Sequence, residues 1–136
     1  MKTSCWLALV SMVAFTGCSA RYLAGGTKPS PETVLITYHA KPGMEANLQA
    51  VLAQAWQIYQ AGHLVLAGPH TLIRETEDQD KTRYVEIFSW VSQAVPEHAP
   101  DAVQKIWAQE QTLCEARNGH RGIEGGEVEL LTGTAK

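Results

Sequence analysis

The sequence predicts an α+β domain with a four-stranded antiparallel sheet and two helices, in the order strand, helix, strand, strand, helix, strand. Three observations lead there. Thr33–Ala40 and Thr82–Val91 are dense in β-branched and aromatic residues, the composition of strands. Met44–Ala61 and Asp101–Arg117 repeat apolar residues at helical spacing. The five polar residues Glu77-Asp78-Gln79-Asp80-Lys81 separate two strand-like runs, as a hairpin loop does. A chain of 136 residues, 45% of them hydrophobic, has room for one such domain. Its net charge of −3 and the lack of any basic patch exclude nucleic acid as a partner.

The chain opens on a targeting segment. Lys2 precedes an apolar run of 11 residues, Trp6–Thr16, whereas a membrane-spanning helix needs about 20. A secretory signal peptide fits this length, ending at a small-residue cleavage site. Phe15-Thr16-Gly17-Cys18-Ser19 resembles the lipobox of bacterial lipoproteins. That resemblance implies a signal peptide at 1–17, lipidation of Cys18 and attachment to a membrane. Ser19 in place of Asp implies the outer membrane of a host that has two, with the domain facing the periplasm. The competing reading is an ordinary signal peptide that happens to contain a cysteine. Once Cys5 is removed and Cys18 acylated, Cys114 stands alone, and no intrachain disulfide is possible. Residues 18–31, with Gly25-Gly26 and two prolines, read as a tether. The domain is expected over 32–132, with a short tail at 133–136.

Within the domain, Thr33–Ala40 is the first strand, stopped by Pro42-Gly43. The first helix carries Met44, Leu48, Val51, Leu52, Ala55 and Tyr59 on one stripe. Gly62 is its natural stop, and His63 has an ordinary explanation as a helix-end residue. His70–Thr76 and Thr82–Val91 form the hairpin. If the loop sets the register, Arg74 lies opposite Tyr84 and Leu72 opposite Glu86. One face of the pair then carries Arg74, Tyr84, Glu86, Phe88 and Trp90; the other carries Ile73, Val85, Ile87 and Val91. Ser92–Pro100 is a corner. Asp101 and Gln104 form a capping-box pattern that opens the second helix, whose stripe is Val103, Ile106, Trp107, Glu110, Leu113 and Cys114. Gly122–Gly126 reads as loose, and Glu127–Leu131 as a short edge strand.

This order is the ferredoxin-like, split βαβ arrangement, with two helices on one face. The strand Tyr84–Val91 carries large apolar residues on both faces, so something must cover the second one. Leaving Phe88 and Trp90 in water would forgo several kcal/mol, at roughly 25 cal/mol per Å². The simplest cover is another copy of the same sheet, which predicts a homodimer.

A ferredoxin-like unit paired through its sheet resembles the dimeric α/β-barrel superfamily. The Pro42-Gly43 helix start and the strand-end Glu86 and Trp90 before His98-Ala99-Pro100 are similar to its antibiotic-biosynthesis-monooxygenase branch. That resemblance implies a pocket between helices and sheet, and activities that include cofactor-independent oxygenation of quinone-like compounds and haem degradation. The haem-degrading members ligate iron through a histidine of the second long helix. Asp101–Arg117 contains none, so haem is not expected.

Several residues carry potential chemistry. Glu110 interrupts an apolar stripe, and a carboxyl buried there would have a raised pKa suited to proton transfer. Against that, Glu110 could turn outward or pair with a basic group. His98 in the corner could orient a substrate oxygen or simply bond to the backbone. Together His98 and Glu110 form the candidate catalytic pair. Trp56, Trp90, Trp107 and Tyr84 are the candidate walls of an aromatic-binding cavity, or ordinary core. Arg74 and Glu86 are placed to form an ion pair on the sheet, at the dimer face. The five histidines lack zinc-helix spacing, and His39 with His70 makes a weak ligand set, so no metal site is expected. No Gly-rich phosphate loop, nucleophile elbow or CxxC pair is present, and no cofactor is expected. Two functions survive. One is an envelope lipoprotein that binds a small hydrophobic or aromatic ligand or a partner without catalysis, slightly favoured by export. The other is a cofactor-independent monooxygenase-like enzyme acting on an aromatic or quinone-like compound.

Overall fold

The computed structural model describes residues 30–131. The signal peptide, Cys18, nearly all of the tether and the tail expected from the sequence lie outside the described residues. The elements are β1 (Glu32–His39), α1 (Glu45–Ala61), β2 (Thr71–Thr76), β3 (Thr82–Trp90), a four-residue helix α2 (Ala94–Glu97), α3 (Asp101–Leu113) and β4 (Ile123–Glu127). The antiparallel sheet has the order β2-β3-β1-β4, the ferredoxin-like topology. Among the described residues, no helix is long and apolar enough to cross a membrane.

The hairpin register follows its loop: Arg74 pairs with Tyr84 and Leu72 with Glu86. Tyr84, Glu86, Phe88 and Trp90 are all buried, and they alternate with half-buried Val85 and Ile87. The first set faces the helices. Phe88 and Trp90 pack with Ala55 and Tyr59 of α1 and with Val103 and Ile106 of α3. A second cluster joins Tyr38 and Tyr84 to Leu48 and Leu52. This corrects the premise of the dimer argument. The two aromatics need no second copy; the uncovered face holds Leu35, Val85 and Ile87, together with Ile73, which is 42% exposed.

Three boundaries differ from expectation. The strand β4 lies over Ile123–Glu127, not Glu127–Leu131, and pairs Gly125 with Ile36 and Glu127 with Val34. Gly125-Gly126 weakens a strand through backbone entropy and missing side chains, not through lost pairing, and here it sits on the edge strand beside a cavity. The helix α3 ends at Leu113 rather than Arg117, since the chain beyond it pairs with the end of β1. Lys41 donates its N–H to the Leu113 carbonyl (2.9 Å), and Glu115 donates to the His39 carbonyl (2.9 Å). Arg117 is buried there, donating from Nε to Glu77 Oε2 (2.9 Å) and from Nη1 to the Ala40 carbonyl (3.0 Å). The capping box does not form. Pro100 is the N-cap, and the Gln104 amide donates to the Ala99 carbonyl (2.8 Å). Gly62 does end α1, but the left-handed residue that follows is His63 (φ 53°).

Candidate functional site

Strand alternation turns Val34, Ile36 and Tyr38 of β1 toward the helices. Gly125 of β4 is paired with Ile36 and so faces the same side, without a side chain. Above them, the α3 stripe brings Glu110 inward one and two turns beyond Ile106 and Val103. A cavity of about 370 Å³ lies between these surfaces, with Trp90 and Trp107 among its walls.

Glu110 is 3% exposed, and its Oε1 has no hydrogen-bond partner. Burial, reinforced by the charge of Glu86, pushes its carboxyl up to about 8. It is therefore largely protonated at neutral pH. Glu86 is 1% exposed but well partnered: Tyr38 Oη donates to its Oε2 (2.9 Å), and His70 Nε2 lies 2.8 Å from Oε1. Burial raises the Glu86 carboxyl, and the bonds from His70 and Tyr38 hold part of that rise back. The His70 ring lies flat on Trp56, with centroids 3.7 Å apart. Tyr38 is pushed well above the ordinary phenol range by burial and by the nearby carboxyl groups, so it remains a donor. Tyr59 is raised for the same reasons and accepts a hydrogen bond from Trp107 Nε1 (2.7 Å). Two carboxyl groups are thus set apart by environment, Glu86 with two partners and Glu110 with an oxygen that has none.

The structure brings Glu110, Trp90 and Trp107 to one cavity. His98 is not with them. It is exposed, and its backbone N–H caps α2 by donating to Ala94 (3.0 Å). Trp56 serves His70, and Tyr84 belongs to the second core cluster, its hydroxyl donating to the Glu45 carbonyl (3.1 Å). The expected Arg74–Glu86 pair does not form. Arg74 is exposed on the edge strand, while Glu86 lies under the helices and bonds to Tyr38 and His70. Tyr38 and His70 were missing from the sequence-based site. Strand alternation puts Tyr38 on one face of β1 with Val34 and Ile36, but its meeting with Glu86 depends on the pairing of β1 with β3.

No protein-family model and no curated protein matches the chain. Solved structures do. SnoaB, a cofactor-independent oxygenase from Streptomyces nogalater, superposes with a TM-score of 0.58 at 18% identity, over 79% of this chain and 99% of that one. A candidate antibiotic biosynthesis monooxygenase from Caulobacter crescentus gives 0.55 at 13% identity, over 77% and 93%. A protein from Mycobacterium tuberculosis gives 0.53 at 16% identity, over 78% and 100%. At these identities the likeness is one of fold: the chain has the ferredoxin-like α+β architecture of antibiotic-biosynthesis-monooxygenase-like proteins.

Proposed function

We propose that the cavity under α3 takes a flat, apolar molecule bearing an oxygen, such as a phenol or hydroxyquinone, and that Glu110 exchanges a proton with that oxygen. The observation that carries this is Glu110 in the wall of a largely apolar cavity, a buried carboxyl whose Oε1 has no partner. A buried polar atom without a partner costs about 1–3 kcal/mol, which a ligand oxygen would offset. Neutral Glu110 donates to a carbonyl; ionised, it accepts a phenolic proton. Trp90 and Trp107 supply the apolar surfaces for an aromatic ring. Tyr38 joins the cavity to Glu86 and His70, and His70, with its side chain 20% exposed, gives the chain of hydrogen bonds an outlet to solvent.

Cofactor-independent oxygenation is the reaction class that this arrangement supports best. Removal of a proton from a hydroxyaromatic leaves an electron-rich anion that dioxygen oxidises. The substrate loses two hydrogens and gains one oxygen atom, and the other oxygen leaves as water. SnoaB, with the same fold, is a cofactor-independent oxygenase, which supports the reading. Ligand binding without turnover is the second reading, favoured by the exposed position of His98, which leaves no corner histidine at the ligand. The full-length chain should be titrated with naphthols, anthrols and their quinones while tryptophan fluorescence and oxygen uptake are followed. Quenching together with oxygen uptake that Glu110→Gln abolishes is the outcome expected of the enzyme. Quenching without uptake leaves the binding protein, and no quenching by any compound sinks both.

The assembly and location belong to the same proposal. A homodimer through the Leu35, Val85 and Ile87 face would cover the apolar side of the sheet, and lipidation of Cys18 would hold the domain at the cell envelope, on the periplasmic side of an outer membrane.

A further inference from the structure

We propose that His39, His120 and Glu124 form a binding site for a divalent transition-metal ion of the zinc type. One ligand atom from each lies within 4.8 Å of the other two. The strongest sign is His39. It is 2% exposed, yet its Nε2 has no hydrogen-bond partner. Its Nδ1 lies 3.3 Å from Glu77 Oε2. A carboxylate on one ring nitrogen keeps the proton there and leaves the lone pair of the other nitrogen free, as in metal-bound imidazoles. Glu77 is the positioning residue. It is shared with Arg117, whose charge is met by Glu77 (2.7 Å) and Glu115 (3.5 Å).

The other two ligands are brought in by a built turn. Arg117 and His120 exchange backbone hydrogen bonds of 3.0 and 2.9 Å around Asn118 and Gly119, which have φ of 54° and 81°. Positive φ at both central residues gives a tight hairpin of the primed type. It sets the His120 ring against that of His39, with centroids 5.7 Å apart and planes inclined by 23°. Glu124 is held at Oε1 by the Arg121 N–H (2.9 Å), while Oε2 faces His120 Nδ1 (3.1 Å). Ligands about 2.0–2.1 Å from a tetrahedral zinc stand roughly 3.4 Å apart. The set must therefore contract around the ion. The side chains of His120 and Glu124, 58% and 39% exposed, are free to do so. Two imidazoles and one carboxylate suit zinc and its neighbours rather than calcium or magnesium, which need more oxygen ligands. A fourth position remains for water or a further ligand.

The test is equilibrium dialysis of chelator-treated full-length chain against Zn²⁺, paralleled by Co²⁺ titration followed in the visible spectrum. The wild type should take up one metal per chain and give cobalt ligand-field bands. His120→Ala and Glu124→Ala, both at exposed side chains, should each weaken binding by about 10-fold or more with an unchanged circular dichroism spectrum. Wild type that takes up no zinc at micromolar concentration overturns the site. So does zinc bound equally by wild type and His120→Ala, since the metal then resides on other histidines.

Discussion

At the scale of the residue, Glu110 is a buried carboxyl at the cavity wall, because a helix that buries its stripe also buries whatever the stripe contains. Its carboxyl moves from an ordinary value of 4.5 to about 8, through burial first and the charge of Glu86 second. The folded state therefore holds a proton that the unfolded chain has released between those values. The stabilisation this gives is present in full below about 4.5 and is lost as the pH rises through 8. Glu86 acts in the same direction, while Glu77 acts in the opposite one. Burial pushes the Glu77 carboxyl up, but His39 and Arg117 together hold it below the ordinary range. Glu110→Gln isolates the Glu110 part. Denaturant unfolding from pH 5 to 9 should show the variant losing less stability than wild type, by on the order of 2–4 kcal/mol at the alkaline end; parallel curves would place Glu110 in contact with water. His98→Ala belongs to the same scale. With its side chain outside the cavity, ligand affinity by fluorescence titration should change less than about 2-fold.

Elements supply what single residues cannot. The strand β4 is useful because it lacks side chains where the cavity needs room. A Cβ at Gly125 would meet Ile36 at 3.4 Å, an ordinary contact, so the backbone tolerates a side chain there. Gly125→Val should fill the cavity and weaken aromatic ligands by about 10-fold or more, while the strand itself gains from a β-branched residue. An unchanged affinity would place the ligand elsewhere. The segment after α3 carries the opposite lesson. Arg117 binds Glu77 and the Ala40 carbonyl from a buried position, so Arg117→Ala removes the guanidinium from Glu77, which keeps His39, and takes the Nη1 donor from the Ala40 carbonyl. It should cost about 1–3 kcal/mol in urea unfolding. Helical periodicity read this segment as more helix, because its hydrogen bonds go to β1, some 75 residues earlier. The glycines of β4 read as loop for the same reason, since only the partner strand shows that they pair.

For the whole molecule, the open face of the sheet is the remaining question of stability. Leu35, Val85 and Ile87 are half-buried there and Ile73 is exposed, a smaller apolar patch than one containing Phe88 and Trp90. Sedimentation of the full-length chain should give twice the chain mass at micromolar concentration, and Ile87→Glu should return it to the chain mass. A wild-type monomer would show that this face is stable in water.

The sequence by itself determined what is local: two amphipathic helices, the hairpin whose five-residue loop fixed Arg74 opposite Tyr84, and the helical stripe that carries Glu110 inward. It also determined that Tyr84, Glu86, Phe88 and Trp90 share one face. Tertiary structure alone decided which face the helices cover, because a strand apolar on both sides fits helices equally well on either. It also decided that Glu86 meets Tyr38 and His70 instead of Arg74, that His98 stays outside the cavity, and that His39 stacks on His120. Each of these rests on contacts between distant parts of the chain, which periodicity and spacing do not encode.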